Sequence, residues 1–562
     1  VKSKLQLGLL LAATASLAHA QNYTVAGRVV NAETGSALPG AQVTLSASPN
    51  DSLDADASAP RFRSRPSDNP SSQSVLTSSD GVFRFNHLPA GRYSLSGTRR
   101  GFLMASYQEH GVYSSAIVAG QGLISEGLIL KLSPGASITG SITDDAGDPV
   151  DQASVNLYRQ LDDGFESIRA YRVTQTDDVG AYEFSHLPPG TYFVSASGRP
   201  WYAVAAQPEE QTARDAASKP TPGSASNLDV VFPRSYYADA TDSAGATPIP
   251  LRGGEQVRVN LQMNAVPAVH LTVKMPAPNS DDQPARTGGR GFQVPRLEEQ
   301  IFGELDGTTG VSGRVTFQGG PDHQSITMSV PPGQYQLEDA GYTLAVNASS
   351  NVLLDPRTGV PPALVTGSVG SAGGAALPHS LTLRLTLANG RLNVALPAGE
   401  HHGTYTFDAV PPGDYELSAE GGGEKLSVVQ IAAQGASVEG HILRIDSRPV
   451  TFAATLAPAS SSVSGYAQQG GHPASGVMVV LVPEHPADHS FYRRDQSDSD
   501  GSFSMHDVAA GNYTLVAIRN GWDLDWARPE VITHYLPGGE PVTVPSSPTT
   551  IHPARPVTVQ PR

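Results

Sequence analysis

The sequence predicts an all-β protein, a tandem array of about five β-sandwich domains. Three observations predict it. A Gly-to-Gly-Tyr frame recurs along the chain, and short runs around it alternate apolar and polar residues. In addition, 57 glycines and 45 prolines punctuate 562 residues that show no helical periodicity.

The frame is clearest in "GVFRFNHLPAGRYSL", where Phe83 and Phe85, then Tyr93 and Leu95, each fall two apart and so share a face. It returns as "GAYEFSHLPPGTYFV", "GTYTFDAVPPGDYEL" and "GSFSMHDVAAGNYTL", and in shortened form as "VPPGQYQL". The turn glycines Gly91, Gly190, Gly333, Gly413 and Gly511 come two residues before a Tyr that opens the next strand. Pro189-Gly190 fits the central positions of a type II turn, so Gly190 is expected at φ > 0. The Tyr is expected to bury its ring while its hydroxyl caps a loop.

An upstream partner recurs as well. Gly27, Gly140, Gly367 and Gly465 each open a unit, and Pro39, Pro149, Pro378 and Pro473 follow before the next alternating strand. Units close on a further alternating strand such as "GLILKLSPG" or "VRVNLQM". About seven short strands per ~100 residues is a sandwich count.

These units resemble the carboxypeptidase regulatory-like domain. "GRVVNAETGSALPGAQVTL", "GSITDDAGDPVDQASVNL" and "GYAQQGGHPASGVMVVL", each followed by its Gly-Tyr frame, carry the resemblance. It implies a transthyretin-like, Ig-like β-sandwich in a secreted bacterial repeat protein, and it implies no particular activity. The expected organisation is a signal peptide over 1–20 and regulatory-like sandwiches over 22–133 and 134–265. A divergent sandwich over 266–360 and a further one over 361–450 follow. A last regulatory-like sandwich with a Pro-rich tail covers 451–562. Polar segments at 48–74, 207–227 and 276–291 interrupt this plan, with compositions that do not offset ordering entropy by burial.

Composition bounds function. The formal net charge is −16, with six lysines against 31 arginines, so no basic track is offered to nucleic acid. Residues 1–20 combine Lys2 and Lys4, an apolar core and Ala18-His19-Ala20, the pattern of a secretory leader. No later apolar run reaches the ~18–20 residues of a membrane span. The absence of cysteine removes disulfides and thiol chemistry.

Catalytic motifs do not emerge. None of the sixteen histidines has a Glu three residues later, and HExxH, GxSxG, GxGxxG and a P-loop are missing. The intramolecular isopeptide of similarly folded collagen-adhesin B-type domains needs an early-strand lysine, whereas Lys131 and Lys425 fall late in their units. Asp495, Asp498 and Asp500 offer calcium-type oxygens, but Asp-Gly also suits a hairpin turn. No catalytic residue, cofactor or metal is therefore expected.

Aromatic residues beside acids are the remaining lead. Trp522, Asp523, Asp525 and Trp526, with Trp201 and Tyr202, follow the Tyr-led strand, and Phe102 holds a similar place. Flat rings beside carboxylates suit sugar faces and hydroxyls, while the plainer reading is that they close the end of each sandwich. The chain thus reads as a non-catalytic, extracytoplasmic binding or spacer module of the cell envelope. Its partner would be an envelope protein or a glycan, the latter through a starch-binding-like fold. The third reading is an accessory subunit of a secreted enzyme or outer-membrane receptor.

Overall fold

The computed structural model describes residues 22–48, 72–161, 167–203, 229–275, 295–306, 315–319, 324–339, 341–372, 377–378, 380–387, 395–401, 403–421, 424–458, 461–486 and 488–562. The leader at 1–20 and the polar segments at 207–227 and 276–291 lie outside the described residues, as does most of 48–74. Strand dominates, at 59% against 5% helix.

Five hydrophobic cores follow one another along the chain. They run from Val25 to Leu132, Ala136 to Met263, Val269 to Leu354, Ala363 to Leu456 and Val463 to Val559. In the first three units separate sheets enclose the core, whereas the strands of the fourth and of the fifth are joined in one continuous ten-stranded and one nine-stranded sheet. In the first unit the opening strand Tyr23–Asn31 sits between Val82–Leu88, antiparallel, and Leu128–Leu132, parallel. The facing sheet pairs Gln42–Ala47 with Ser72–Leu76 and with Gly91–Thr98. Leu128–Leu132 alternates buried and exposed, as its sequence does.

The same parallel pairing of opening and closing strands returns in every unit. It joins Ala136–Asp144 to Gln256–Arg258 and Leu261–Met263, and Val269–Met275 to Val352–Leu354. It joins Ala363–Ser371 to Val450–Pro458, and Ser461–Gln469 to Thr550–Ile551 and Val557–Gln560.

The opening glycines explain themselves at this pairing. A Cβ on Gly140 would meet the carbonyl of Val259 and come 2.9 Å from the Tyr182 ring. One on Gly27 would meet the Leu128 carbonyl and the Phe83 ring, and one on Gly465 the Phe503 ring at 2.8 Å. Gly367 is covered by Phe452 in the same way.

Gly190 takes the expected positive φ, and so does Gly511, but at 156° and 159° they lie far from the ~80° of a type II turn, so the turn type needs correcting. Gly91, Gly333 and Gly413 do not have positive φ. The left-handed residue is the first glycine of each frame, Gly81, Gly180, Gly403 and Gly501, with φ between 72° and 81°. What the second glycine supplies is room. The ring of the Tyr two residues on lies 3.3–3.4 Å from the Cβ position of Gly333, Gly413 and Gly511.

That ring position sends each hydroxyl back across the turn. Tyr93, Tyr192, Tyr335, Tyr415 and Tyr513 donate to the carbonyls of Pro89, Pro188, Pro331, Pro411 and Ala509 at 2.7–2.9 Å. Burial raises the pKa of all five hydroxyls and keeps them as donors.

A second device was not read from sequence. His87, His186 and Asp507 take φ of 52–60°, each beside a register shift in the hairpin strand. A bulge there turns the strand into the corner, and His and Asp are among the residues that tolerate this conformation.

The end of the chain also departs from expectation. The segment after Pro541 is no tail, because Glu540–Val544 and Val557–Gln560 pair with Gly511–Ile518. Val542, Val544, Val557 and Val559 alternate into the fifth core, a period-two signal masked by surrounding Pro, Ser and Thr.

Candidate functional site

Phe102, Trp201 and Trp522 each stand eleven residues after a corner glycine, just past the Tyr-led strand. Their surroundings differ. In the fifth unit, Met478–Pro483 is buried on both faces. One face fills the sandwich core. On the other, Met478, Val480 and Val482 form a second cluster with Trp522, Trp526, Ala527 and Ile532. The short helix Pro529–Ile532 roofs it.

Trp522 and Trp526 are each 8% exposed, and the Trp522 indole donates to the Gly476 carbonyl at 3.3 Å. Neither ring is presented to solvent. Asp523 pairs with Arg562 at 3.3 Å and Asp525 with Arg528 at 3.6 Å, so the acids face their own chain.

The covering of Trp522 comes from the first unit. His110 stacks on it at 4.9 Å with planes 6° apart, and Tyr113 lies at 5.4 Å. Arg494 sits over Tyr113 and Trp526, at 5.1 and 4.2 Å. Around these rings, residues 108–118 and 475–499 exchange hydrogen bonds. Ser499 N–H donates to the Ala116 carbonyl at 3.0 Å, and Ala116 N–H to Asp498 at 2.6 Å. Ser115 donates to the Ser497 carbonyl at 2.8 Å, and Gln496 to the Gln108 carbonyl at 2.6 Å. Arg92 closes an ion pair with Asp498. The first sandwich is therefore docked on the fifth, and the chain closes on itself.

Other junctions use different chemistry. Phe302, at the tip of a hairpin in the third unit, inserts among Tyr158, Phe193 and Tyr236 of the second, at 5.0–5.9 Å. Buried Arg234 ties the same junction to Glu299 at 3.4 Å. Between the fourth and fifth units, His441 meets Asp488 at 3.0 Å and packs on Phe491 at 4.1 Å.

The acids weighed as calcium ligands are engaged otherwise. Asp495 accepts from the amides of Ser504 and Gln496, at 2.7 and 2.8 Å, and Asp498 holds Arg92 and Ala116. Burial lifts Asp495 to about 7, and lifts Asp498 to about 6 against the pull of Arg92. Both are raised in the folded chain, so between ~4 and about 7 it holds protons the unfolded chain has released. Their contribution to stability is complete below ~4 and is lost as pH rises through 6 and 7. Carboxyl carbon resonances in NMR should show two groups titrating near 6 and 7; titration of both near 4 would remove this pH dependence.

Trp201 is the contrast, at 82% exposed. Tyr202 meets it edge-on, with centroids 5.6 Å apart and planes at 87°. The indole stands beside a cavity of 590 Å³ lined by residues that include Asp144, Asp151, Gln152, Ser154, Arg199 and Phe232. The six aromatic-region residues singled out from sequence thus fall at two places, one closed and one open. Sequence reasoning missed the first-unit partners Arg92, Gln108, His110 and Tyr113.

The fold and junctions define a protein of tandem, docked β-sandwiches. Residues 24–116 and 137–231 match the carboxypeptidase regulatory-like domain. The chain carries two such domains in succession. No curated protein matches the chain. Similar solved structures include the TIE protein of Bacillus anthracis, 15% identical, covering 59% of this chain and 50% of that one, with a TM-score of 0.16. This chain therefore spans half the length of that protein. The minor pilin GBS52 of Streptococcus agalactiae is 14% identical over 44% of this chain and 97% of that one, with a TM-score of 0.20. Two B repeat units of the collagen binding protein of Staphylococcus aureus are 10% identical, covering 89% and 94%, with a TM-score of 0.14.

Proposed function

We propose that this chain is a non-catalytic, extracytoplasmic scaffold of the cell envelope, whose sandwiches hold binding surfaces in a fixed arrangement. The use made of its perturbed ionisable groups carries this reading. Such groups mark active sites when they converge on a cavity. Here Asp498 fastens the first unit to the fifth. Glu416, whose pKa burial raises, meets Ser490 at the junction of the fourth and fifth. The leader-like composition of residues 1–20 supports the compartment.

Two measurements test it. The natural chain has no cysteine, so Ala116→Cys with Ser499→Cys should give one disulfide within a monomer, seen as a faster band on a non-reducing gel. Cross-linked dimers alone would sink the closed arrangement. An epitope-tagged chain should fractionate outside the cytoplasm, and recovery only in the cytoplasm would overturn the envelope assignment.

A further inference from the structure

We propose that the Trp201 cleft of the second sandwich binds a neutral polysaccharide, with a sugar ring stacked on the indole. This deepens the scaffold reading and rests on it for the claim that the surface serves binding. Four observations carry it.

The first is exposure. Of the chain's three tryptophans two are 8% exposed, while Trp201 leaves 82% of its surface in water. A ring of that size kept in water adds nothing to a core and is available for contact.

The second is the adjoining space. The 590 Å³ cavity lies within the ~300–1,000 Å³ range of small-ligand sites. Asp151, Gln152, Ser154 and Arg199 line it together with Phe232. One flat apolar face beside several hydroxyl-seeking groups matches a pyranose, which has a C–H face and a rim of hydroxyls. A lipid or an apolar peptide would take the Asp151 carboxylate and the Gln152 amide bonded to it out of water, at a cost. The chain's net charge of −16 disfavours a polyanion.

Third, the ring has an aromatic neighbour: Tyr202 stands edge-on to it, with centroids 5.6 Å apart.

The last observation comes from the fifth unit. The equivalent position there, Trp522, carries the flat His110 ring at 4.9 Å, nearly parallel. The same place in the fold already accepts a planar face in one copy and offers it to solvent in the other.

Affinity electrophoresis of the full chain through gels containing amylose, mixed-linkage β-glucan, xylan or mannan tests the proposal. At least one should retard the wild type. Trp201→Ala should weaken retention ten-fold or more with an unchanged melting temperature, and Trp201→Phe should restore part of it. Gln152→Ala should weaken it several-fold, and tryptophan fluorescence should change on binding in the wild type but not in Trp201→Ala. No retardation by any of the four, equal retention of Trp201→Ala, or retention only by an acidic polymer such as polygalacturonate would each overturn the proposal. Those failures leave the envelope assignment standing. Conversely, glycan retention by a cytoplasmic chain would remove the envelope assignment and keep the cleft.

Discussion

Gly140→Ala should cost the second sandwich about 3 kcal/mol or more, at the upper end of what overpacking does. The opening strand runs so close to its parallel neighbour that a methyl group at this position has nowhere to go. It would press on the Val259 carbonyl, which already accepts the Tyr182 hydroxyl at 2.6 Å, and on the Tyr182 ring at 2.9 Å. Relief requires moving both the ring and the closing segment, and Val259 N–H is itself bonded to the Thr139 carbonyl at 2.7 Å. Hydrogen exchange of the full chain should show protection lost over 136–263 and retained in the fourth and fifth units. Full protection across the second unit would mean that the strands separate at little cost.

Trp522→Ala should have the other large effect, about 3–5 kcal/mol, as truncation of a buried aromatic does. It removes the centre of the outer cluster and the platform on which the first unit lies. The fifth unit should melt earlier and the first should undock, seen as a larger radius of gyration by X-ray scattering. His110→Ala separates the two consequences. It leaves the cluster of the fifth unit intact, so docking should weaken while that unit's melting stays near its original temperature. A Trp522→Ala chain as compact and as stable as the original would contradict the junction described above.

Much of the fold was legible because it is written locally. The Gly-Tyr frame, the alternating strands and the opening glycines report on residues within a few positions or within one hairpin. Even there the left-handed conformation of the first glycine of each frame was not foreseen, and the positive φ of Gly190 is not that of a type II turn. Sequence shows that the second glycine is required but not why. At Gly333, Gly413 and Gly511 a Tyr ring lies on it, whereas at Gly190 φ is 156° and the Arg159 guanidinium stands 3.2 Å from the Cβ position. The closing strand Val557–Gln560 was hidden by its neighbours' composition. The docking of the first unit on the fifth had no local trace at all. Its bonds join side chains to backbone across some 380 positions, between loops, and such contacts impose no period on either segment. Of the aromatic pairs, sequence gave equal prominence to Trp522 and Trp201. Only what lies against each ring tells a junction from an open face.

The parallel pairing of opening and closing strands has a mechanical consequence. In each unit the chain enters along one strand and leaves along its neighbour in the same direction, so entry and exit lie at opposite ends of that pair. Tension applied through the chain therefore runs lengthwise along the ladder. Where that ladder is continuous, as between Ala363–Ser371 and Val450–Pro458, its hydrogen bonds meet the load together, in shear, rather than one after another.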